Sequence, residues 1–395
     1  MTQQVVNRWS RRFVATSTVF LVAWQILTLA GFSRRIQVTV AVFGFILHMV
    51  FGKAYTLIPS YFNRDLTFAY SPAAQYPFSS LGAIALTAFH FRGVPETVGI
   101  LGAVLWSIGV VIFLGTMIWT LGDNIIGRET GTSSVNKERE WVDRYANAFM
   151  PVGLAYLALG SYETLARYIV LPTLFKGYLP SVTHLLAAGT AAMLIFAVGF
   201  RLLPRFLVAN PPKTLVVTVL PAGALGPLIL AYSLGGGTWF KVGAVLEAFA
   251  VVSFALTYII LLRRSERDRV GFYGVLAGMM AGVVAVLLGL DFAFNRIDNS
   301  LVQLHAHFNL LGFLGLTIIG VAYQFYPPNV GSFTGAKDNT AIASIGLIGS
   351  GLVIELIGVF TGLDPIILIG KASALAGVLV YAYLILGLFY IHQRG

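Results

Sequence analysis

Apolar stretches long enough to cross a lipid bilayer recur from one end of this chain to the other. They fall at 13–31, 36–59, 76–91, 96–121, 144–170, 181–204, 213–233, 239–262, 270–294, 301–327, 340–362 and 369–391. About 20 apolar residues wound as a helix match the roughly 30 Å hydrocarbon core of a bilayer. Within lipid a backbone must satisfy its own polar groups, so runs of this kind read as α-helices. Composition agrees, with 57% of residues hydrophobic and 11% charged, where a soluble domain carries roughly a quarter charged. The expectation is an all-α, polytopic membrane protein of about twelve transmembrane helices. It forms one transmembrane domain over residues 1–395, is multi-pass in the cell membrane, and has the lipid bilayer as its surroundings.

No soluble domain fits between the runs. The longest connection, Gly122 to Asp143, is polar enough to be an aqueous loop. Phe13 to Gly31 lacks a small-residue cleavage site and reads as the first span rather than a signal peptide. The absence of Cys excludes disulfides, thiolate metal sites and Cys nucleophiles. No Walker motif, dinucleotide fingerprint or hydrolytic triad is recognisable.

The net charge of +10 sets topology in such a chain and implies no nucleic-acid partner, because excess Lys and Arg collects in cytoplasmic loops. With the N-terminus inside, 17 Lys and Arg fall on the inner side and 8 on the outer, leaving Lys53 within a span. Both termini are therefore expected in the cytoplasm, with spans two, six and ten running from outside to inside. Lys53, near the inner end of its span, can snorkel to the interface.

Those three spans share a pattern. Pro59, Pro204 and Pro327 close them, Gly44, Gly189 and Gly312 stand fifteen residues earlier, and Gly52, Ala197 and Gly320 seven residues earlier. Thr39, His184 and His307 stand twenty residues before each Pro. The spans lie four apart, which implies three four-helix pseudo-repeats at 1–121, 144–262 and 270–391. Repeat interfaces commonly carry the functional sites of membrane proteins.

A polar ring inside a span is costly without a partner. His48, His90, His184, His305 and His307 lie in or beside spans, whereas His392 belongs to the tail. The topology puts His184, His305 and His307 in the outer third, with His90 on the same side and His48 nearer mid-membrane. A lone intramembrane His commonly serves as a helix-to-helix hydrogen-bonding group, and several at one depth on related helices point instead to a site. Residues two apart on a helix are about 200° apart in projection. His305 and His307 therefore face opposite sides and serve different sites. Imidazole is a favoured axial ligand for haem iron.

The stretch His305 to Pro327, HAHFNLLGFLGLTIIGVAYQFYP, resembles the tenth helix of the catalytic subunit of haem–copper oxidases, most closely the C-family. His184 to Pro204, HLLAAGTAAMLIFAVGFRLLP, resembles the sixth helix of that family. The chain also resembles the NnrS family, twelve-span proteins associated with nitric oxide. The resemblance implies that His305 is the axial ligand of a gas-binding haem, haem b in type, and that His307 is one ligand of a second, low-spin haem. It implies that His184 is one of three copper ligands, so that the metal-ligating set is His184, His305 and His307. The second-helix His of the family is replaced by Thr39 or displaced to His48. The family's seventh-helix His pair has no counterpart, since 213–233 contains no His. One His is a poor copper site unless other ligands join it, and a complete oxygen-reducing centre is not expected.

The implied function is a haem-binding membrane protein that binds a diatomic gas such as nitric oxide, or passes electrons to a redox partner protein. The alternative is a transporter or proton channel on the same scaffold, without haem. Glu247, Glu355 and Asp291 would then line the path, as intramembrane acids commonly do. Glu163 and Arg167, four apart on one helix, form either part of such a path or a simple pair.

Overall fold

The computed structural model describes residues 2–175, 177–295 and 297–391. Basic residues Lys176, Arg296 and Arg394, and His392 of the tail, lie outside them. Helix makes up 82% of the structure, and no strand occurs among the described residues.

The described residues wind into twelve long helical rods. They are α1 (Thr2–Leu29), α2 (Arg34–Tyr61), α3 (Ser71–Ala88), α4 (Glu96–Leu121), α5 (Glu140–Ala166) and α6 (Leu179–Leu207). They continue as α7 (Lys213–Ser233), α8 (Thr238–Arg264), α9 (Val270–Phe294), α10 (299–325), α11 (Asp338–Thr361) and α12 (Asp364–Ile391). Ten are long and apolar enough to cross a membrane, which makes the chain a multi-pass membrane protein in contact with lipid. The other two are α3 and α5. The first is 18 residues long and carries Pro72, Gln75 and Pro77, and the second opens on Glu140, Asp143 and Arg144.

Burial separates the rods into two classes. The apolar windows of α2, α6 and α10 are 83%, 83% and 72% buried, against 39–50% for the other seven apolar rods. The three are therefore an inner set, and the others turn one face outward. Inside each inner rod the α-helix widens into a π-helix, at Val40–Ile46, His184–Ala192 and Phe308–Leu316. π-Helix is rare and mostly single-turn, and it concentrates at functional sites. The three π segments touch one another pairwise at the centre of the molecule.

Each inner rod packs along the rod before it: α1 on α2, α5 on α6, α9 on α10. Gly44, Gly189 and Gly312, all within π segments, mark these contacts. A Cβ added there would meet the Phe20 ring at 2.6 Å, the Tyr156 ring at 2.5 Å and the Ala281 Cβ at 2.6 Å. Only a residue without a side chain allows that approach. The remaining rods pair as hairpins, α3 with α4, α7 with α8 and α11 with α12. Rods α4 and α5 pack together, as do α8 and α9, and α12 closes on α1. The contacts thus run around a closed ring.

At the proline ends of α2 and α6 an ionic cluster ties the loop 122–139 to the bundle. Arg201, 2% exposed, donates to the carbonyls of Tyr61 at 2.6 Å and Thr130 at 2.7 Å and to Asn147 Oδ1 at 2.5 Å. Asp143, 1% exposed, accepts from Arg205 at 3.0 and 2.6 Å and from the Thr132 hydroxyl at 2.5 Å, and lies 3.5 Å from Arg201 Nε. Buried charge is costly unless it is paired, and Asp143 is the counter-charge here, although Arg201 Nε itself makes no hydrogen bond.

Candidate functional site

His184 and His305 come close enough to interact electrostatically. His184 opens the π segment of α6, and His305 lies three residues before that of α10. The His305 Nδ1 is 2.9 Å from the Ala285 carbonyl of α9, and the His184 Nδ1 is 2.7 Å from the Pro180 carbonyl one turn earlier on its own rod. A carbonyl only accepts, so each Nδ1 carries the proton and each Nε2 keeps its lone pair. This is the arrangement in which a metal-bound imidazole is held, one nitrogen fixed by a backbone acceptor and the other offered to the metal. The lone pair of His305 is shared with Asn309 Nδ2 at 3.2 Å, and Asn309 also donates to the His305 carbonyl at 2.9 Å. Phe292 meets the His305 ring edge-on, with centroids 5.5 Å apart. Beside it, a Cβ at Gly289 would come within 3.2 Å of His305 Cε1. In donor chemistry, His305 fits an axial position on iron.

His307 faces the other way, as the two-residue spacing requires. Its Nδ1 donates to both carboxylate oxygens of Glu355 on α11, at 2.8 and 2.9 Å. Its Nε2 lies 3.1 Å from Gln37 Oε1 of α2 and 2.7 Å from Gln303 Nε2. Gln303 donates to Gln37 at 2.8 Å, Thr28 of α1 donates to the same oxygen at 3.2 Å, and Gln37 donates to the Phe32 carbonyl at 2.6 Å. Both ring nitrogens of His307 therefore have protein partners. The ring is 4% exposed, and Trp24 meets it edge-on at 6.4 Å.

His48 stands elsewhere. It is fully buried, with Nδ1 donating to the Phe43 carbonyl at 2.7 Å and Nε2 3.2 Å from the Ser80 hydroxyl. Phe13, Phe20, Phe51 and Trp106 surround its ring at centroid distances of 5.2–6.4 Å. The structure thus sets His184 and His305 near each other, and it gives the Nε2 atoms of His48, His305 and His307 side-chain neighbours in Ser80, Asn309 and the two glutamines. His90 lies just beyond α3, packed against Phe89 at 5.4 Å.

The intramembrane acids have unequal partners. Glu355 is taken by His307. Glu247 of α8 has an oxygen, Oε2, that is buried without a hydrogen bond, close against Gly226 of α7 and within electrostatic reach of Tyr156. Asp291 accepts from Asn295 at 2.7 Å. Glu163 and Arg167 form no ion pair among the described residues, and Glu163 instead accepts the Leu174 N–H beyond the end of α5.

Sequence reasoning missed Gln37, Gln303 and Asn309. The signal was available for two of them, because Gln303 and Asn309 each stand four residues from a His on the same rod, the spacing that brings side chains together. Gln37 gave no such local signal. The chain matches no family model and no curated protein.

Proposed function

We propose that this protein is a haem-binding membrane protein of the haem–copper oxidase-like type that takes up a diatomic gas such as nitric oxide or passes electrons. His305 would hold the haem iron through Nε2, and His184 would lie beside the bound group. The observation that carries this reading is the hydrogen bonding of the two rings: both Nδ1 atoms lie on backbone carbonyls, which leaves the Nε2 lone pairs for a metal, that of His305 in place of its contact with Asn309. Bound haem supplies an iron that takes a gas molecule on one face or changes oxidation state. The Ala285 carbonyl orients His305, and both rings are half-buried. His184 presents a lone pair rather than an N–H, so it suits a second metal ion, copper being the chemical candidate, better than it suits hydrogen bonding to a bound gas. One imidazole is too few for a stable copper site, so the reading excludes reduction of oxygen to water.

The architecture that supports it is a threefold repeat of four helices around α2, α6 and α10, with twelve crossings and both termini in the cytoplasm. The support is the position of the three π segments, 19 or 20 residues before Pro59, Pro204 and Pro327 at their first residue, and the ring of rod contacts. The proposed location is the cell membrane.

The test is the absorption spectrum of the protein purified from cells supplied with haem precursor. A Soret band that shifts on addition of nitric oxide or carbon monoxide is the expected result. A colourless protein that stays colourless after incubation with haem overturns the reading. The second reading, a proton-coupled transporter, then stands on Glu247 Oε2, since a buried carboxyl oxygen without a partner is the kind of group that binds a carried proton.

A further inference from the structure

Between the proline-end halves of α2, α6 and α10 lies a cavity of about 120 Å³. Its lining is apolar except for Lys53 and Thr317. Thr317 turns its hydroxyl against α9, where a Cβ at Gly278 would come within 2.5 Å of it. Lys53 is thus the one polar group the cavity has to offer. Its Nζ donates to the Tyr326 hydroxyl at 2.9 Å and lies 4.2 Å from the centres of the Phe325 and Tyr326 rings. Among the described residues no Asp or Glu pairs with it.

A charged ammonium against an apolar wall is expensive unless an anion accompanies it. Ring faces return only part of that cost. One hydroxyl uses one of its three N–H groups, which leaves two for a carboxylate. We infer that this cavity is a binding site for a single-chain lipophilic carboxylate, with its head on Lys53 and its tail toward Met49, Ala191 and Thr317. A cavity of about 150 Å³ accepts a benzene-sized group, so the site has room for the end of one chain and none for a two-chain lipid. Leu57, Ile58, Leu203 and Phe325 carry the lining to the proline ends of the rods, which gives the ligand its entrance. The inference goes beyond the haem reading and does not require it.

Equilibrium binding of radiolabelled dodecanoate to the full chain, in nanodiscs of phosphatidylcholine, tests it. Saturable binding of one dodecanoate per chain is expected, about tenfold or more tighter than dodecanol, since a charge-assisted hydrogen bond contributes roughly that factor. Lys53→Met should weaken dodecanoate about tenfold and leave dodecanol unchanged. Val198→Phe, which fills the cavity from α6 and leaves Lys53 in place, should weaken both. Equal binding of dodecanoate and dodecanol, unaltered binding in Lys53→Met, or displacement by inorganic phosphate as effective as by unlabelled dodecanoate would overturn the proposal. If Lys53→Met fails to assemble, unaltered dodecanoate binding in Val198→Phe overturns it as well.

Discussion

His307 and Glu355 hold each other across two helices: Nδ1 of the imidazole lies 2.8 and 2.9 Å from the two oxygens of the carboxylate, and both side chains are about 5% exposed. Each side chain satisfies a polar group of the other, so the two are buried together. Gln37 and Gln303 close the other side of the ring, and together these residues join α2, α10 and α11 at the histidine end of the bundle.

Glu355→Leu should therefore strand a buried N–H of His307 and destabilise the protein by about 1–3 kcal/mol. Glu355→Gln keeps an acceptor in place and should cost less. Thermal unfolding in detergent, followed by loss of helical circular dichroism, measures both. Equal melting midpoints for the two variants would show that the hydrogen bond to His307 contributes nothing.

Asp143 is the acid on which Arg201 and Arg205 converge. Removing it leaves a guanidinium, itself 2% exposed, without its counter-charge. Asp143→Ala should cost about 3–5 kcal/mol, the usual penalty for breaking one side of a buried ion pair. Asp143→Ala combined with Arg201→Met should recover part of that loss. A double variant less stable than the single would contradict the view that the stranded charge is the cause.

Most of the architecture is legible in the sequence because lipid leaves so few options. Most spans written from apolar runs differ from the observed rods by only a few residues, as at 36–59 against 34–61 and 301–327 against 299–325, whereas the first rod begins at Thr2 rather than residue 13. The third and fifth runs are harder to read. Pro72, Gln75 and Pro77 interrupt one, and charged residues open the other, so hydropathy alone weakens where tertiary packing takes over. The π segments left no local trace, because a widened turn depends on what neighbouring rods press against it. The opposite facing of His305 and His307 follows from helical geometry alone. Their partners, Ala285 and Glu355, lie 20 and 48 residues away, and no spacing rule reaches them.

The basic-residue asymmetry and the threefold arrangement together predict that reporter fusions at residue 130 and at the C-terminus both report the cytoplasm. The loop 122–139 is held against the proline ends of α2 and α6 through Arg201 and Asn124, and Asn124 donates to the Phe62 and Glu129 carbonyls at 2.8 and 2.9 Å. The proline ends of the inner rods should then lie on the cytoplasmic side. An external signal at residue 130 reverses the whole orientation, and with it the side from which the His184–His305 site is reached.

Substitution of the two paired histidines separates the haem reading from a structural role. In the haem reading His305 would hold the iron through Nε2, in place of its contact with Asn309, with its Nδ1 proton fixed by the Ala285 carbonyl. His305→Ala should abolish the Soret band or shift it strongly. His305→Gln, which keeps a polar side chain but offers no imidazole, should do the same, whereas a purely structural His would be partly rescued by it. His184 would not hold the iron in this reading. His184→Ala should keep the Soret band and change only the binding of added nitric oxide or carbon monoxide. Because the two rings also interact with each other, the His184→Ala/His305→Ala double variant should look like His305→Ala alone in the spectrum. Both single variants with unchanged spectra and unchanged gas binding would make these histidines structural. The unpartnered oxygen of Glu247 would then be the better guide to what the protein does.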